Sequence, residues 1–263
     1  ARAGAEVSFI SAMGNDVTAE NYKAALSLEN INCSHITLEA GVATGSALIM
    51  FDRHGDNYIS VAPGANARIT PERVQAAEAV IIASDWIILQ QEIPLATNQA
   101  VLQLAAKHNC RVLFNYAPAN DLSLCPDAAV YGLIVNETEA AALLAQSFDP
   151  ASTSQVARCA EELRIRGEHP FVAVTLGANG VLLAEPASTT HVPSFQVKPI
   201  DTTAAGDTFC GALALALGEG KSLSAAARFA SAAAALAVTK IGAQNSIPAR
   251  AEIDAFLATQ AEA

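Results

Sequence analysis

Short runs of consecutive apolar residues recur along the chain, separated by longer stretches in which apolar positions return at helical spacing. The runs are "EVSFISAM" at 6–13, "WIILQQE" at 86–92, "RVLFNYAP" at 111–118, "GLIVNETE" at 132–139 and "FVAVTLG" at 171–177. Near-continuous apolar runs suit strands covered on both faces, so the pattern predicts βαβ units around a parallel sheet. One segment differs. In "TGSALIMFDRHGDNYISVAPGA", two apolar stretches flank the turn "RHGDN" with no helix between them, which predicts a hairpin. The expected organisation is one α/β body, residues 1–43 and 63–263, carrying a small β lid at 44–62. From Asp207 to about Phe256 the pattern is mostly helical, with Gly218 and Gly220 closing one helix and Pro248 opening another.

Composition narrows the functions open to such a body. Just over half of the 263 residues are apolar and 16% are charged, enough for a substantial buried core. A formal charge of −11 disfavours a protein that binds by neutralising nucleic-acid phosphates, so small molecules are the expected partners. No apolar run is long enough to span a bilayer, and the Ala-rich "SAAARFASAAAALAV" is interrupted by Arg228. Cys33, Cys110, Cys125, Cys159 and Cys210 are odd in number and include no C-x-x-C pair. That pattern favours reduced thiols and a cytoplasmic setting over disulfides or zinc. The five histidines are dispersed and mark no ligand cluster.

Two nucleotide motifs fail on inspection. "GEGKS" at 218–222 lacks the first glycine of a P-loop, because position 215 is Leu215, and it follows a helix rather than a strand. No G-x-G-x-x-G opens a helix after a strand. Three other stretches carry possible chemistry, each with a plain structural alternative. In "DTTAAGD", Ala204, Ala205 and Gly206 leave the backbone N–H groups of the following helix open to an anion. Asp207 in the first turn could accept a proton from an attacking hydroxyl, or simply complement the helix dipole. In "VNETEA", Asn136 and Glu139 have capping-box spacing and could also face phosphates and a hydrated Mg²⁺. In "TLGANGVLLAE", Thr175, Gly177 and Gly180 could underlie a nucleotide, although an Asn-Gly hairpin turn explains the same residues. Glu92, ending "WIILQQE", could meet a polar substrate or mark a solvated strand end.

The order of these motifs is more specific than any one of them. N-x-x-E after a strand, T-L-G-x-x-G, D-T-x-A-G-D opening a helix, and "GAQNSIP" near the end together resemble the ribokinase-like (PfkB-type) carbohydrate kinases. "TGSALIMFD", "GANA", "QQEIPL" and "FNYAPA" extend the resemblance over nearly the whole chain. It implies a three-layer α/β/α fold with a mainly parallel central sheet and a small β lid. It also implies an ATP-dependent sugar kinase acting on the primary 5-hydroxyl of a pentose such as D-ribose. Asp207 would be the base, and Ala204, Ala205 and Gly206 the anion hole. Asn136 and Glu139 would serve phosphate and Mg²⁺, Thr175, Gly177 and Gly180 the nucleotide, and Glu92 and Asp207 the sugar. Asp201, Thr203, Ala237, Lys240, Gly242 and Ser246 would bind an activating K⁺, largely through carbonyls. A homodimer through the lid is implied as well.

Two departures bear on function. Ser231 stands where the family usually has Asn or His near the adenine. "ARAGAEVSFI" aligns with the end of the helix that opens G-G-K-G-A-N in the family, so about forty leading residues, including a first strand and part of the lid, are expected to lie outside this sequence. The sugar's Asp, Lys and Asn partners belong to that segment, so this chain alone is expected to bind ATP with negligible sugar-dependent ADP release, and restoring the segment is expected to rescue turnover. Another sugar or a nucleoside as acceptor, or a non-catalytic nucleotide-binding role, is the alternative.

Overall fold

A computed structural model of the protein describes residues 1–51, 57–119 and 129–260. The chain divides into two compact units, one made of 6–83 and 92–104 together with Ala1, the other of 2–5, 84–91 and 105–263.

In the first unit, strand β1 (Ser11–Gly14) pairs in parallel with β2 (Ile36–Glu39) across helix α1 (Val17–Leu28). Alternation along β1 serves two small cores. Met13 packs with Ala19, Leu26 and Ile36, and Ala12, on the opposite face, packs with Ala65 and Ile69. Asp16 caps α1, its Oδ1 accepting from the Ala19 N–H at 2.9 Å. The same carboxylate ties down the approach to the next strands, since Oδ2 accepts from the Thr44 N–H and Oδ1 from the Thr44 hydroxyl, both at 2.7 Å. Gly14 fits only because it lacks a Cβ, which would lie 2.4 Å from the Val42 carbonyl oxygen. Strands β3 (Ser46–Phe51) and β4 (Asn57–Ala62) form the expected antiparallel hairpin, with Ser46 opposite Ala62 and Phe51 opposite Asn57. Most of its "RHGDN" turn lies outside the described residues. Short helices α2 (Pro71–Ala76), with proline in its first turn, and α3 (Glu78–Ala83) follow.

The second unit begins with β5 (Ile87–Leu89); α4 (Leu95–His108) starts in the first unit and ends in the second. Then come β6 (Val112–Asn115), β7 (Gly132–Asn136), α5 (Glu137–Leu144), α6 (Thr153–Arg166), β8 (Phe171–Thr175), β9 (Val181–Glu185) and β10 (Ser188–Val192). Helices α7 (Ala205–Gly218), α8 (Leu223–Ala237) and α9 (Arg250–Thr259) complete it. The six strands lie in the order β10-β9-β8-β7-β6-β5, with β5 to β8 parallel and the last two antiparallel. Leu113, Ile134, Phe171, Ala173, Val181 and Leu183 share one sheet face and pack against Leu213, Ala216, Ala226 and Ala230 of α7 and α8. Small residues on α8 let it lie close, and burying a side chain such as Leu213 stabilises by about 1.5–3 kcal/mol. Helices α5 and α6 cover the other face, α6 against β8 and β9, so this unit has the three layers expected. A Cβ at Gly132 would lie 2.2 Å from the tip of the buried Phe171 ring on the paired strand, so Gly132→Ala would force that ring out of its place in the core.

Three local expectations change. The run at 6–13 contributes a strand only from Ser11, preceded by a single bridge between Ser8 and Asn32, because residues 6–10 are at most half-buried and have no continuous partner. The β8–β9 turn is not a two-residue Asn-Gly turn. Thr175 pairs with Val181, leaving five residues that include a 3₁₀ turn over Gly177–Asn179. Pro248 precedes the α9 cap Ala249 rather than opening the helix.

Candidate active site

Parallel strands end together, and in the second unit the carboxyl ends of β6, β7 and β8 meet the start of α7. They line a cavity of about 170 Å³, bounded by Asn115, Ala117, Ile134, Asn136, Glu139, Thr175, Thr202, Ala204, Ala205, Gly206, Asp207 and Cys210. A larger depression of about 480 Å³ over α6 and β10 is shallow, and Glu161 and Glu162 there are tied to Arg164 and Arg166. The chemistry therefore belongs to the smaller cavity.

The chain enters α7 through Ala204, whose φ of 60° lies in the left-handed region that costs a residue with a Cβ about 1 kcal/mol or more. This turn points the first amides of α7 outward. The Ala205 N–H reaches the Thr202 carbonyl and the Thr208 N–H the Ala204 carbonyl, whereas the N–H groups of Gly206 and Asp207 meet no acceptor among the described residues. A Cβ on Gly206 would meet nothing within 4 Å, so the space before these donors is open. Two donors without an acceptor among the described residues, at the positive end of a fourteen-residue helix, have the geometry and polarity that suit an anion.

Asp207 stands in that first turn, and its carboxyl accepts no hydrogen bond from the described residues. It is reachable by solvent through the cavity, yet enough protein surrounds it that burial pushes its pKa above the ordinary aspartate range. Across the cavity, Asn136 and Glu139 form the capping box that their spacing predicts. The Glu139 N–H donates to Asn136 Oδ1, and the Asn136 N–H to Glu139 Oε2, both at 2.8 Å. Burial raises the Glu139 pKa, opposed by the Asn136 backbone hydrogen bond and reinforced by Glu137. Cys210, one turn after Asp207, is held as a neutral thiol by burial first and then by the charges of Asp207 and Glu139.

The remaining candidates divide into three groups. Thr175 lines the cavity, its hydroxyl donating to the Val135 carbonyl at 3.3 Å, whereas Gly177 and Gly180 lie just beyond it. Gly180, at a φ of 90°, also has a structural reason to be glycine, because a Cβ would sit 2.2 Å from the Val192 carbonyl oxygen; Gly177, at 53°, faces open space. The proposed cation-loop residues are brought together. Asp201 Oδ1 accepts from the Thr203 N–H and Oδ2 from the Gly242 N–H, each at 2.9 Å; the Thr203 side chain foremost, and then these amides, hold its pKa low. The carbonyls of Asp201, Thr203, Lys240 and Gly242 accept no hydrogen bond from the described residues, while that of Ala237 receives the Lys240 N–H. The buried Ser246 hydroxyl donates to the Ala243 carbonyl, and the Lys240 ammonium is engaged by Glu252. Ser231 lies half-buried on α8, away from the cavity, and Glu92 is exposed in the first unit. Asn115, Ala117, Ile134, Thr202 and Cys210 also line the cavity; Asn115, Ala117 and Thr202 lie within motifs quoted above, but the sequence assigned none of the five a role.

Among the described residues no group of three or more His, Cys, Asp or Glu side chains could hold a metal ion, so a divalent cation here would rest mainly on phosphates and water. Glu139 and Asp207 are the two carboxylates that line the cavity. No helix of the described residues is long and apolar enough to cross a membrane.

Residues 1–250 match the pfkB family carbohydrate kinase pattern. The chain is 39% identical over 257 residues to the ribokinase of Haemophilus influenzae, covering 98% of this chain and 83% of that protein. It is 34% identical to the ribokinase of Schizosaccharomyces pombe, covering 96% and 80% respectively. The solved structure of Arabidopsis thaliana ribokinase complexed with ribose and ATP superposes with a TM-score of 0.87 at 27% identity, covering 96% of this chain and 82% of that one.

Proposed function

The chain belongs to the pfkB family of carbohydrate kinases, and from that premise we propose that it transfers the γ-phosphoryl group of ATP to the 5-hydroxyl of D-ribose. The observation that carries this reading is the pairing of two amides, on Gly206 and Asp207, with an Asp207 carboxyl, none of which has a hydrogen-bond partner among the described residues. The amides would hold the transferring phosphoryl group as charge builds on it, and Asp207 would take the proton of the attacking hydroxyl. Thr175, Gly177 and Gly180 would underlie the nucleotide, with Ser231 on the adenine side and Glu92 contacting the sugar. Mg²⁺ would neutralise phosphate charge when bound, and Asn136 and Glu139 would orient its water shell. The open carbonyls of Asp201, Thr203, Lys240 and Gly242 suit K⁺, a large cation that favours oxygen ligands, with Ala237 and Ser246 completing the loop. The cytoplasm, where ATP and K⁺ are abundant, is the proposed setting.

The hairpin β3–β4 is proposed as the lid. Leu48, Met50 and Val61 are 64%, 47% and 50% exposed, and a two-stranded ribbon with exposed apolar side chains gains stability from a partner. Two copies meeting through this ribbon is the proposed assembly. Sedimentation should show a dimer that Leu48→Asp weakens, and a monomer at every concentration would overturn it.

The kinase reading is tested by transfer of label from γ-labelled ATP to D-ribose, in K⁺ and in Na⁺ at fixed ionic strength. With the leading segment of the Haemophilus relative joined to the chain, ribose-dependent ADP release, faster in K⁺, is expected. Without that segment, ATP binding with little sugar-dependent ADP release is expected, because β5 then ends the six-stranded sheet with one edge unpaired among the described strands. Faster transfer to a different sugar or to a nucleoside would overturn the substrate, and ATP binding without sugar-dependent ADP release even with that segment joined would overturn the activity.

A further inference from the structure

The sheet face that packs on α7 and α8 carries Leu113 on β6, Ile134 on β7, and Phe171 and Ala173 on β8. Side chains two residues apart on a strand share a face. With Asn115 paired to Ile134, and Asn136 to Thr175, this apolar face ends in three polar side chains, Asn115, Asn136 and Thr175, all on the cavity. Two of them are engaged. The Asn136 carboxamide oxygen accepts the Glu139 N–H, and the Thr175 hydroxyl donates to the Val135 carbonyl. The Asn115 side chain makes no hydrogen bond to the described residues, although it follows three fully buried residues, Val112, Leu113 and Phe114, in a strand where asparagine is disfavoured. It caps no helix, and its backbone carbonyl alone holds the following turn, accepting the Ala117 N–H at 2.8 Å.

We infer that the Asn115 carboxamide contacts the phosphoryl group in flight, a catalytic contact that rests on the kinase reading above. Neighbouring strands lie about 4.8 Å apart, so the three side chains step across the cavity from the nucleotide side at β8 to β6, the strand next to β5. Asn115 is therefore the one furthest from the nucleotide loop. A carboxamide offers N–H donors to a phosphoryl oxygen without a charge, and it cannot compete with Asp207 for the proton. In the transfer, the bond from phosphorus to the bridging oxygen breaks and its electron pair leaves with ADP. The acceptor oxygen bonds to phosphorus, and its proton passes to Asp207. Asn115 donates to a non-bridging oxygen throughout and changes nothing in that balance.

Asn115→Ala should lower kcat about tenfold to a hundredfold, the order found for losing one donor to developing charge. Asn115→Asp should lower it further, since a carboxylate there repels the phosphoryl group. In both variants the KM for ATP should stay within about twofold of wild type and Tm should be unchanged. A readout independent of turnover is the side-chain amide resonance of Asn115 in the wild-type protein. It should move on adding Mg²⁺ with a non-hydrolysable ATP analogue and stay in place with AMP, which has no γ-phosphoryl group. Wild-type kcat in both variants, or a loss that follows a fall in Tm, would overturn the inference. If the protein carrying the leading segment shows no sugar-dependent turnover, the kinase reading fails by itself. The resonance then decides for Asn115, and an unmoved signal sinks this contact.

Discussion

Asp16 and Asp207 both stand at helix N-termini, and by local sequence each could be a residue that merely complements the helix dipole. The structure separates them by what their carboxyl oxygens do. Asp16 is saturated, accepting from the Ala19 N–H and from both the N–H and the hydroxyl of Thr44. Those bonds, the Thr44 backbone bond foremost, hold its pKa below the ordinary range. Asp207 accepts none from the described residues, and burial pushes its pKa up. A carboxylate whose lone pairs are all engaged is fixed as an anion and serves the fold, whereas one left unpaired in a confined site is available to take a proton. Asp201, with both oxygens on backbone amides, belongs with Asp16.

The comparison is broken most directly at Asp207. Asp207→Asn should cut kcat by roughly 10²- to 10⁴-fold, the usual worth of a positioned general base, with ATP affinity nearly unchanged. A variant keeping a tenth or more of wild-type kcat, an order-of-magnitude threshold, would remove Asp207 from the role of base. The raised pKa adds a second signature. Because the base must be ionised, the acid limb of the kcat profile should lie above the range of an ordinary aspartate. The sign for stability is the opposite of a salt-bridged carboxylate. The folded state binds this proton more tightly than the unfolded state, so the Asp207 contribution is greatest at low pH and is lost as pH rises through its folded pKa. At neutral pH the Asn variant should melt no lower than wild type, and a lower Tm would show that Asp207 also supports the fold.

Glu139 sits between the two extremes, since it is part of a complete capping box and also faces the cavity with a raised pKa. Glu139→Gln keeps an oxygen able to accept the Asn136 N–H but is a weaker partner for hydrated Mg²⁺. Activity should then need several-fold more Mg²⁺, an order-of-magnitude expectation, at a Tm close to wild type. A lower Tm with the same Mg²⁺ titration would place Glu139 with Asp16 as a purely structural carboxylate.

Much of this was legible in the chain. The apolar runs gave the parallel strands of the second unit, and "TAAGD" announced an open helix start because residues with almost no side chain leave backbone donors bare. Asn136 and Glu139 announced their cap by spacing alone. What stayed hidden depends on three-dimensional pairing. Asn115 sits in "FNYAPA" without a role of its own, and the signal that could have singled it out is an amide closing a run of buried residues in a strand covered on both faces. The length of the β8–β9 turn follows from the register of Thr175 with Val181, which no dipeptide specifies. The two roles of aspartate at helix starts were equally hidden, because Thr44, which saturates Asp16, lies twenty-eight residues away.

The smallest expected effect tests the saturated member of the pair. In Asp16→Asn the remaining oxygen can still cap α1 at the Ala19 N–H, but the amide group that replaces the second oxygen would face the Thr44 N–H, donor against donor. Because the folded pKa of Asp16 is depressed, its contribution to stability is present above the unfolded pKa and is lost as pH falls through the folded value. The variant should therefore melt below wild type at neutral pH. The gap should close as both are titrated into acid, where wild-type Asp16 becomes protonated and the substituted carboxamide, which does not titrate, stays as it is. Thermal melts of the two proteins across the acid range measure this gap. A gap of constant size at every pH would mean that the charge of Asp16 contributes nothing and that shape alone matters at this turn. The contrast with Asp207 would then rest on geometry rather than on ionisation.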